Sequence, residues 1–474
     1  MKRLVLVERC LLVLLLAQSV LLHAVTSQII QGIADGVVVL AFLFHKWRVE
    51  LVPAYVLFVL NAAAAAATVA PPLWLVWVQG ALFLFTVTVV FLFPLPLFPT
   101  LSSAYPDVGC VTMRLHGVDC RIFYPADAPG SQAPLLPYLH HGKHLAMGLH
   151  IFIELPALFF ASLRNGILNA RVNAQVKAAP TEAGWPAVVF SHGMGGSLEL
   201  YSSIHQYVAS EGLIVVALNH SDGSAAVSRN PDDVTYSYYD RPPASALADW
   251  ANEGFYYRNN QLQKRVQHVR DVVDALERLQ SDSSSLLYHH INLNQVAVAG
   301  HSFGGATAIS ACVATIVGND VFVTVYTRAK RDVRLKAVVG LDIWMEPLDA
   351  DVVADGVAVP VCSVISHHWH KEWDSHFELL KAQSRRCDHP NSAFLAIGKT
   401  RHQNFCDMPL FSPFLNQHFK AAGPIDPTYL LHMVGQLMAS FLRQQFHGDP
   451  SFDCVSTSFP ELLSLKDTTY NTFL

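Results

Sequence analysis

The first hundred residues carry four apolar stretches in close succession, and this feature restricts the fold of the chain more than any other. The stretches are Cys10–Val25, Ile29–Phe44, Leu51–Val69 and Leu73–Phe98. A helix needs about 20 apolar residues to cross the hydrocarbon core of a bilayer, a length that the last two stretches reach and the first two narrowly miss. The connections between the stretches are short, which suits antiparallel neighbouring helices. We therefore expect about four transmembrane helices and place the end of this segment near residue 105.

The charges beside these stretches indicate how the segment is oriented. Lys2, Arg3 and Arg9 precede the first stretch, Lys46 and Arg48 lie between the second and third, and the other two connections carry no Lys or Arg. By the positive-inside rule, the N-terminus and the second connection face the cytosol, so that four crossings return the rest of the chain to the cytosolic side. If the first stretch is instead a cleaved signal peptide, three crossings lead to the same side. A buried helical hairpin of a soluble protein is the remaining alternative.

Composition excludes some classes of function. The chain has a formal net charge of −5 and no basic block, which argues against a nucleic-acid partner. Its eight cysteines form no CxxC pair and no zinc-binding spacing. We interpret them as mostly buried thiols, typical of a reducing compartment. No pattern in the sequence indicates an oligomeric state.

Beyond the membrane segment, short apolar runs alternate with amphipathic helical stretches, which is the pattern of an α/β domain. We predict this domain over residues 106–474, with a long helix at Gln261–Leu279. The expected strands are Val111–Leu115 and Cys120–Tyr124, which form a hairpin, followed by Trp185–Ser191, Gly212–Asn219, Gln295–Ala299, Leu335–Leu341, Val359–Ile365 and Ala393–Ile397. Together they predict a mostly parallel central sheet flanked by helices.

The motif Gly300-His301-Ser302-Phe303-Gly304 fits the pattern G-x-S-x-G. It follows an expected strand and opens an expected helix, Gly305–Val313, which is the context that the motif has in serine hydrolases. A serine on so tight a turn is exposed above the sheet, and the N–H groups at the start of the helix lie where an oxyanion develops. The bare pattern also arises by chance, but this context predicts Ser302 as a nucleophile.

A serine nucleophile needs a base, and the base needs a carboxylate that orients it. In α/β-hydrolases the acid follows the serine in the chain, and the histidine follows the acid. The candidate acids are Asp342, Asp349, Asp351 and Asp374. Asp342 is the best placed of them because it directly follows an expected strand, and His402 follows a late strand through a short loop. The other downstream histidines remain alternatives: His367, His368, His370, His376, His389 and His418.

A glycine-rich loop, Ser191-His192-Gly193-Met194-Gly195-Gly196, follows an early strand. Glycines there let the backbone turn its N–H groups inward, and we predict the N–H groups of Met194 and Phe303 as oxyanion donors. A phosphate-binding loop is the weaker interpretation, because the lysine of a P-loop is missing. Clustered histidines within residues 140–144 and 366–376 lack clear metal-ligand spacing and favour packing or surface positions over a metal site.

These residues together resemble the platelet-activating factor acetylhydrolase family. The similar stretches, in order, are residues 188–204, 212–225, 295–307, LDIWMEPL at 341–348 and HQNFCD at 402–407. The motifs LDxWMxPL and HQNF are much more specific than GHSFGG, and the resemblance covers roughly residues 110–450. It implies an α/β-hydrolase fold that needs no metal and no cofactor. The roles it implies are nucleophile for Ser302, acid for Asp342, base for His402 and oxyanion donors for Met194 and Phe303.

The resemblance also implies a substrate, because the family releases short or oxidised sn-2 acyl chains from phospholipids. Residues 1–105 lie outside the resemblance, and a membrane segment suits a substrate that partitions into lipid. The region Gly142–Ile167 predicts an apolar helix, broken near Pro156, at about the place where the family contacts the lipid surface; a buried helix is the alternative. The residues expected to face lipid, here and after the His402 loop, are Leu149, Ile151, Phe152, Phe159, Phe160, Phe411 and Phe414.

Two other classes of function remain open. One is a different serine hydrolase, such as a general lipase, a carboxylesterase or a phospholipase A1. The other is a catalytically silent membrane scaffold with a hydrolase-like domain, against which an intact set of Ser, Asp and His argues.

Overall fold

The structure is a computed structural model that describes residues 2–24, 27–45, 47–67, 72–127, 133–312 and 332–465. Lys46, one of the basic residues used above, and Val313, the expected end of the helix after Ser302, lie outside the described residues. Four helices open the described chain: α1 (Lys2–Ala24), α2 (Gln28–His45), α3 (Val52–Ala66) and α4 (Leu73–Leu92). Helices α1, α2 and α4 are each long and apolar enough to cross a membrane, and so is α3 together with the 3₁₀ turn Val49–Leu51 that leads into it, as the sequence predicts.

These helices pack around a small apolar core. Leu11, Leu15, Val38 and Leu57 are almost fully buried there. Large apolar side chains cover the outer faces and are exposed: Val13, Leu43, Phe44, Trp74, Trp77 and Leu84. A helix that is apolar on all sides belongs in a large core or in a membrane, because water does not solvate such a surface favourably.

A chain of polar side chains crosses the interior of the bundle. The Asn61 side-chain N–H donates to Gln18 at 3.1 Å, and Gln79 donates to Asn61 at 2.8 Å. Gln18 in turn donates to Asp35 at 2.5 Å. Side-chain hydrogen bonds of this kind hold neighbouring helices together where no water competes for them.

The segment between α4 and the first strand has no regular secondary structure. Pro94, Pro96 and Pro99 fall in it, and proline lacks the N–H that a helix needs. The fourth apolar stretch, expected to continue to Phe98, is therefore helical only as far as Leu92.

A central sheet forms the core of the remaining chain. The strands in chain order are β1 (Val108–Leu115), β2 (Val118–Pro125), β3 (Leu135–Pro137), β4 (Ile167–Val172), β5 (Trp185–Ser191), β6 (Ile214–Asn219), β7 (Val227–Arg229), β8 (Tyr236–Tyr238), β9 (Ile291–His301), β10 (Leu335–Leu341), β11 (Val361–Ser366), β12 (Ala393–Ile397) and β13 (Leu462–Ser464). Within the described residues, eleven strands form one sheet in the order β13-β12-β11-β10-β9-β5-β6-β2-β1-β4-β3, while β7 and β8 pair separately.

The middle of the sheet is parallel, from β6 through β5, β9, β10 and β11 to β12. The strands β1 and β2 form the expected antiparallel hairpin, and β2 pairs antiparallel with β6. The expected mostly parallel α/β sheet is thus confirmed. Because the parallel strands all end at one edge, the loops after β5, β9, β10, β11 and β12 meet there, where ligands bind in open α/β sheets.

Helices cover both faces of the sheet. They are α5 (Lys143–Ile153), α6 (Ser202–Ser210), α7 (Ala244–Ala248), α8 (Phe255–Ser281), α9 (Phe303–Cys312), α10 (Ala350–Asp355), α11 (His367–Lys371), α12 (Asp374–Arg386), α13 (Met408–Phe411), α14 (Pro413–His418), α15 (Pro427–His447) and α16 (Ser451–Ser458). Helices α8 and α9 pack on one face and α6 and α15 on the other, so each face has its own apolar core. The eight cysteines, all within the described residues, form no disulfide, and six of them are buried.

Candidate active site

Ser302 lies on a sharp turn between β9 and α9. Its φ is 58°, in the left-handed region that non-glycine residues rarely adopt, and its N–H donates to the backbone oxygen of Leu341 at 2.8 Å. The turn needs glycine at Gly304, because a Cβ there would lie 1.9 Å from the backbone oxygen of Ser191. A serine on this strained turn is presented at the sheet edge, as in the nucleophile elbow of α/β-hydrolases.

Asp342 and His402 meet beside this turn. Asp342 directly follows β10, is fully buried, and accepts the backbone N–H of Ser366 on Oδ1 at 2.5 Å. Its Oδ2 lies 3.1 Å from Nδ1 of His402. Because a carboxylate only accepts, Nδ1 of His402 carries the proton, which leaves Nε2 free to accept one. His402 and Ser302 line the same cavity, so the structure brings together the three side chains that the sequence singles out.

The structure places the other candidates elsewhere. His376 is buried and accepts the backbone N–H of Met345 at 3.0 Å, and His368 pairs with Glu372 at 2.8 Å. Asp374 is exposed at the start of α12. Within the described hydrogen bonds, His402 is the one downstream histidine that contacts the carboxylate of Asp342.

The two expected oxyanion donors lie on the loop after β5 and at the start of α9. Met194 follows β5 and lines the cavity, and Phe303 directly follows Ser302. In the loop around Met194, the N–H of Gly193 donates to Tyr201, that of Gly195 to Ser224 and that of Gly196 to Gly193.

Among the described residues, the N–H groups of Met194 and Phe303 have no protein acceptor. A pair of unused N–H groups beside a candidate nucleophile is what an oxyanion hole requires.

Arg265 lies beneath this loop and is fully buried. It pairs with Asp222 at 3.1 Å and donates to the backbone oxygen of His192 at 2.6 Å. Its guanidinium also stands over the ring of Phe303, 4.3 Å from the ring centroid. One cation therefore contacts both segments that carry the free N–H groups. This residue was not expected from the sequence, although a charge on the apolar face of the helix Gln261–Leu279 is a signal for it.

Aromatic side chains enclose His402. Trp369 stacks on its ring with centroids 4.4 Å apart and an interplanar angle of 7°. The ring centroid of His301 also lies 4.4 Å from that of His402, and the hydroxyl of Tyr201 is 2.9 Å from Nδ1 of His301. Burial and, to a smaller extent, the nearby His402 hold the pKa of His301 well below its usual range, so that His301 is neutral. Neither Trp369 nor Tyr201 was expected from the sequence.

One ring nitrogen each of His301 and His402 and a carboxylate oxygen of Asp342 lie within 4.8 Å of one another, close enough for a metal ion. Hydrogen bonds already engage this set, since Asp342 contacts His402 and the N–H of Ser366, and His301 contacts Tyr201. A histidine and its carboxylate beside a serine fit proton transfer, and we interpret the cluster as acid–base machinery. The histidines of 140–144 and 366–376 form no such group within the described residues.

A cavity of about 410 Å³ opens above Ser302, within the range usual for small-molecule sites. The expectation of lipid-facing side chains is wrong for Leu149, Phe160 and Phe411, which are 2%, 5% and 1% exposed. All three line this cavity instead, because the helix α5 and the 3₁₀ helix Ala157–Asn165 fold back over the sheet edge. Burial was the alternative that the sequence left open for this region.

The other expected lipid contacts differ in exposure. Phe159 and Phe414 are 38% and 45% exposed, while Ile151 and Phe152 are half-buried. Phe152 lines the cavity and packs against Tyr239 with ring centroids 4.7 Å apart. Phe152 and Phe159 therefore line the cavity, while Ile151 and Phe414 are not among its lining residues.

A known protein family matches most of this chain. The family model described as "Platelet-activating factor acetylhydrolase, isoform II" matches residues 97–459, which is most of the chain. The chain belongs to the platelet-activating factor acetylhydrolase family. The match begins after α4, so the four apolar helices are additional to the part of the chain that the family model covers.

Individual relatives of the chain agree with this. A "Platelet-activating factor acetylhydrolase" of Gallus gallus is 24% identical over 377 residues, which cover 73% of this chain and 83% of that protein. A "Putative phospholipase A2" of Schizosaccharomyces pombe is 27% identical over 394 residues, which cover 71% of this chain and 87% of that protein. Among solved structures, a ferulic acid esterase from Streptomyces cinnamoneus has a TM-score of 0.55 and a sequence identity of 20%. The superposition covers 78% of this chain and 98% of the esterase chain, which supports the α/β-hydrolase fold.

Proposed function

We propose that this chain is a membrane-bound serine esterase that hydrolyses the sn-2 acyl ester of phospholipids with short or oxidised acyl chains. Membership of the family and the esterase-like fold support the hydrolysis of lipid esters. The observation that carries the proposal is the 3.1 Å contact between His402 Nδ1 and Asp342 Oδ2, beside the cavity that holds Ser302.

In the first half of the reaction, Nε2 of His402 takes the proton of Ser302 while Oγ attacks the sn-2 carbonyl carbon. The carbonyl oxygen becomes an oxyanion that accepts hydrogen bonds from the N–H groups of Met194 and Phe303. The imidazolium then gives its proton to the departing glycerol oxygen. Lysophospholipid leaves, and the acyl group stays on Ser302.

In the second half, a water molecule attacks the acyl-enzyme and His402 takes its proton. The tetrahedral intermediate collapses, the free acid leaves, and Ser302 recovers its hydrogen from His402. Asp342 stays ionised throughout, keeps the imidazole in the required tautomer, and stabilises its protonated form. A buried carboxylate with two hydrogen-bond donors suits this role, because it has one fixed orientation.

The lining of the cavity supports a lipid ester as substrate. Away from Ser302 and His402, the walls are formed largely by apolar side chains, including Leu149, Phe160 and Phe411. Apolar walls with a few fixed polar groups bind an acyl chain and orient its ester.

The contacts of Glu8, Arg48 and Phe93 support the proposed membrane topology. Arg48 pairs with Glu8 of α1 and donates to the backbone oxygen of Phe93 at 2.8 Å. The start of α1, the connection between α2 and α3, and the end of α4 therefore lie at one end of the bundle, beside the catalytic domain. Lys2 and Arg3 belong to the same end, so the positive-inside rule supports a catalytic domain on the cytosolic side.

Substrate profiling of the purified full-length protein in detergent tests the proposal. Phospholipids with sn-2 acetyl, oxidised or long acyl chains are compared with sn-1 esters and triglycerides. We expect kcat/KM to be at least about tenfold higher for sn-2 acetyl and oxidised chains, a difference that pocket contacts with the acyl chain can supply. Preference for triglycerides or sn-1 esters would favour a general lipase or a phospholipase A1 instead.

A further inference from the structure

The mouth of the cavity above Ser302 is framed by apolar side chains that reach the surface. Ile153, Phe159 and Phe419 line the cavity and are 42%, 38% and 61% exposed. Phe93 and Leu415, both half-buried, complete the frame. Apolar rings around a cavity mouth are unfavourable in water and indicate that this surface contacts an apolar partner.

This mouth is continuous with the last membrane helix. Phe93 directly follows α4 and precedes residues 97–459, the range that matches the family. Its ring packs edge-on against Phe159 with centroids 5.9 Å apart. Two residues earlier, the 61% exposed ring of Phe91 packs against Phe414, with ring centroids 5.3 Å apart. The apolar outer surface of α4 therefore runs directly into the rim of the cavity.

A buried ionic cluster fixes the end of α4 in this position. Arg48 is 3% exposed, donates to the backbone oxygen of Phe93 at 2.8 Å and pairs with Glu50 at 3.2 Å. Glu50 accepts a hydrogen bond from Asn165 at 3.2 Å. Asn165 ends the same 3₁₀ helix that carries Phe159. The membrane bundle and one wall of the cavity are thus joined by hydrogen bonds as well as by ring contacts.

We propose that a phospholipid enters the cavity sideways from the leaflet around the C-terminal end of α4, and that Phe93 forms part of the wall against which its acyl chain lies. The inference rests on the proposed function, since it names the source and route of the same substrate. The membrane segment is then a component of the substrate site and not only an anchor. The occupant is a single bilayer phospholipid, with its ester at Ser302 and its acyl chain along Phe93 and Phe159.

A bilayer source fits these contacts better than a lipid taken from water. The C-terminal end of a membrane helix lies at the lipid surface, so the mouth beside Phe93 is at the depth of the first acyl carbons. A lipid that moves from the leaflet into an apolar mouth keeps its chains out of water throughout. A substrate taken from solution would instead carry its acyl chains through water before it reached the apolar mouth beside Phe159 and Phe419.

Photocrosslinking in vesicles tests the route. The Ser302→Ala variant of the full-length protein is reconstituted with a phosphatidylcholine that carries a diazirine on a short sn-2 chain, and labelled residues are located by mass spectrometry. Labelling at Phe93 and Phe159 is expected to fall about tenfold when unlabelled substrate lipid is present at ten times its Kd. Phe85, 57% exposed on the lipid-facing side of α4, is the internal control, whose labelling should not be displaced.

The outcomes separate this inference from the proposed function. Hydrolysis of the same lipid by the wild-type protein, without displaceable labelling at Phe93 and Phe159, would overturn lateral entry and leave the esterase function standing. Displaceable labelling without hydrolysis of any phospholipid would support lateral entry and contradict the proposed function.

A second measurement uses the acyl-chain preference. Removing the ring in Phe93→Ala enlarges the wall of the acyl site, so the ratio of kcat/KM for sn-2 hexanoyl over sn-2 acetyl lipid should rise about tenfold. The matched variant Phe85→Ala removes a ring from α4 itself, away from the cavity, and should leave that ratio at the wild-type value. Equal ratios in both variants would contradict a role for Phe93 in the acyl site.

Discussion

The indole of Trp369 lies parallel to the imidazole of His402, with ring centroids 4.4 Å apart and an interplanar angle of 7°. The same imidazole is held at Nδ1 by Asp342 at 3.1 Å. Stacking fixes the plane of the ring and the hydrogen bond fixes its rotation within that plane. The candidate base therefore has one orientation before any substrate arrives, which is the condition for efficient proton transfer.

Replacing Trp369 with Leu should lower kcat by about ten- to a hundredfold with a smaller change in KM, because a misplaced catalytic group costs up to about 10²-fold. Steady-state kinetics on a soluble short-chain ester measures both constants. Trp373→Leu is the matched control, since the described ring contacts of Trp373 are with Trp369 and His376. Equal losses of kcat in both variants would mean that the aromatic cluster acts through general stability.

The Asp342→Asn variant should retain its fold and its KM while kcat falls about 10⁴-fold, the loss seen when the same change is made in a Ser-His-Asp protease. The amide favours the wrong tautomer of His402, and Nε2 can then no longer take a proton. Asp374→Asn, at an exposed acid that the sequence also offered, should leave kcat close to wild type. A small loss in Asp342→Asn would show that another group orients the base.

Arg265→Met should destabilise the protein by about 3–5 kcal/mol, because it leaves the carboxylate of Asp222 buried without its cation. Chemical unfolding in detergent, followed by tryptophan fluorescence, gives the free energy of unfolding. Arg278→Met, on an exposed position of the same helix, should change that free energy by less than about 0.5 kcal/mol. Similar free energies of unfolding in the two variants would contradict a structural role for the ion pair between Arg265 and Asp222.

The stability of the protein should fall as pH rises from neutrality towards 9, through His141. Burial on its own lowers the pKa of this imidazole, but the carboxylates of Glu199 and Asp119 outweigh it and raise the pKa from 6.5 to about 9. The bound proton therefore stabilises the fold fully below pH 6.5, and this contribution is lost as pH rises through about 9. At about 1.4 kcal/mol for each tenfold change in proton affinity, it amounts to roughly 3 kcal/mol.

Thermal unfolding of the protein in detergent between pH 6 and pH 10 measures this dependence. In His141→Gln the slope between pH 6.5 and 9 should be shallower, since the glutamine side chain does not titrate. A slope in His141→Gln equal to that of the wild type would mean that groups other than His141 cause the loss of stability at high pH.

The sequence predicts the strands of the sheet and the catalytic candidates that lie directly at their ends. Apolar runs of β-branched residues predict the strands, and parallel strands end at one edge, so Asp342 could be selected by position alone. The same reasoning could not find the contacts of Trp369 or Arg265, because those contacts depend on how α11 and α8 pack in the folded domain.

The apolar region after Gly142 shows a second limit of sequence reasoning. A stretch that faces a lipid surface and one that lines an apolar cavity have the same composition, so burial of Leu149, Phe160 and Phe411 was not distinguishable from exposure. Phe93 was hidden for another reason. It was counted within a membrane stretch, and its position at the cavity follows from the prolines that end α4 early.

The proposed function requires Ser302 to be the nucleophile of an esterase whose base is His402. Its most direct test is to treat the full-length protein in detergent with a fluorophosphonate probe and to locate the modified residue by mass spectrometry. We predict a single adduct on Ser302, with hydrolysis of the short-chain ester lost in parallel, and no adduct in Ser302→Ala or, at the same reaction time, in His402→Ala. Labelling of another residue, or ester hydrolysis that persists in Ser302→Ala, would contradict the account.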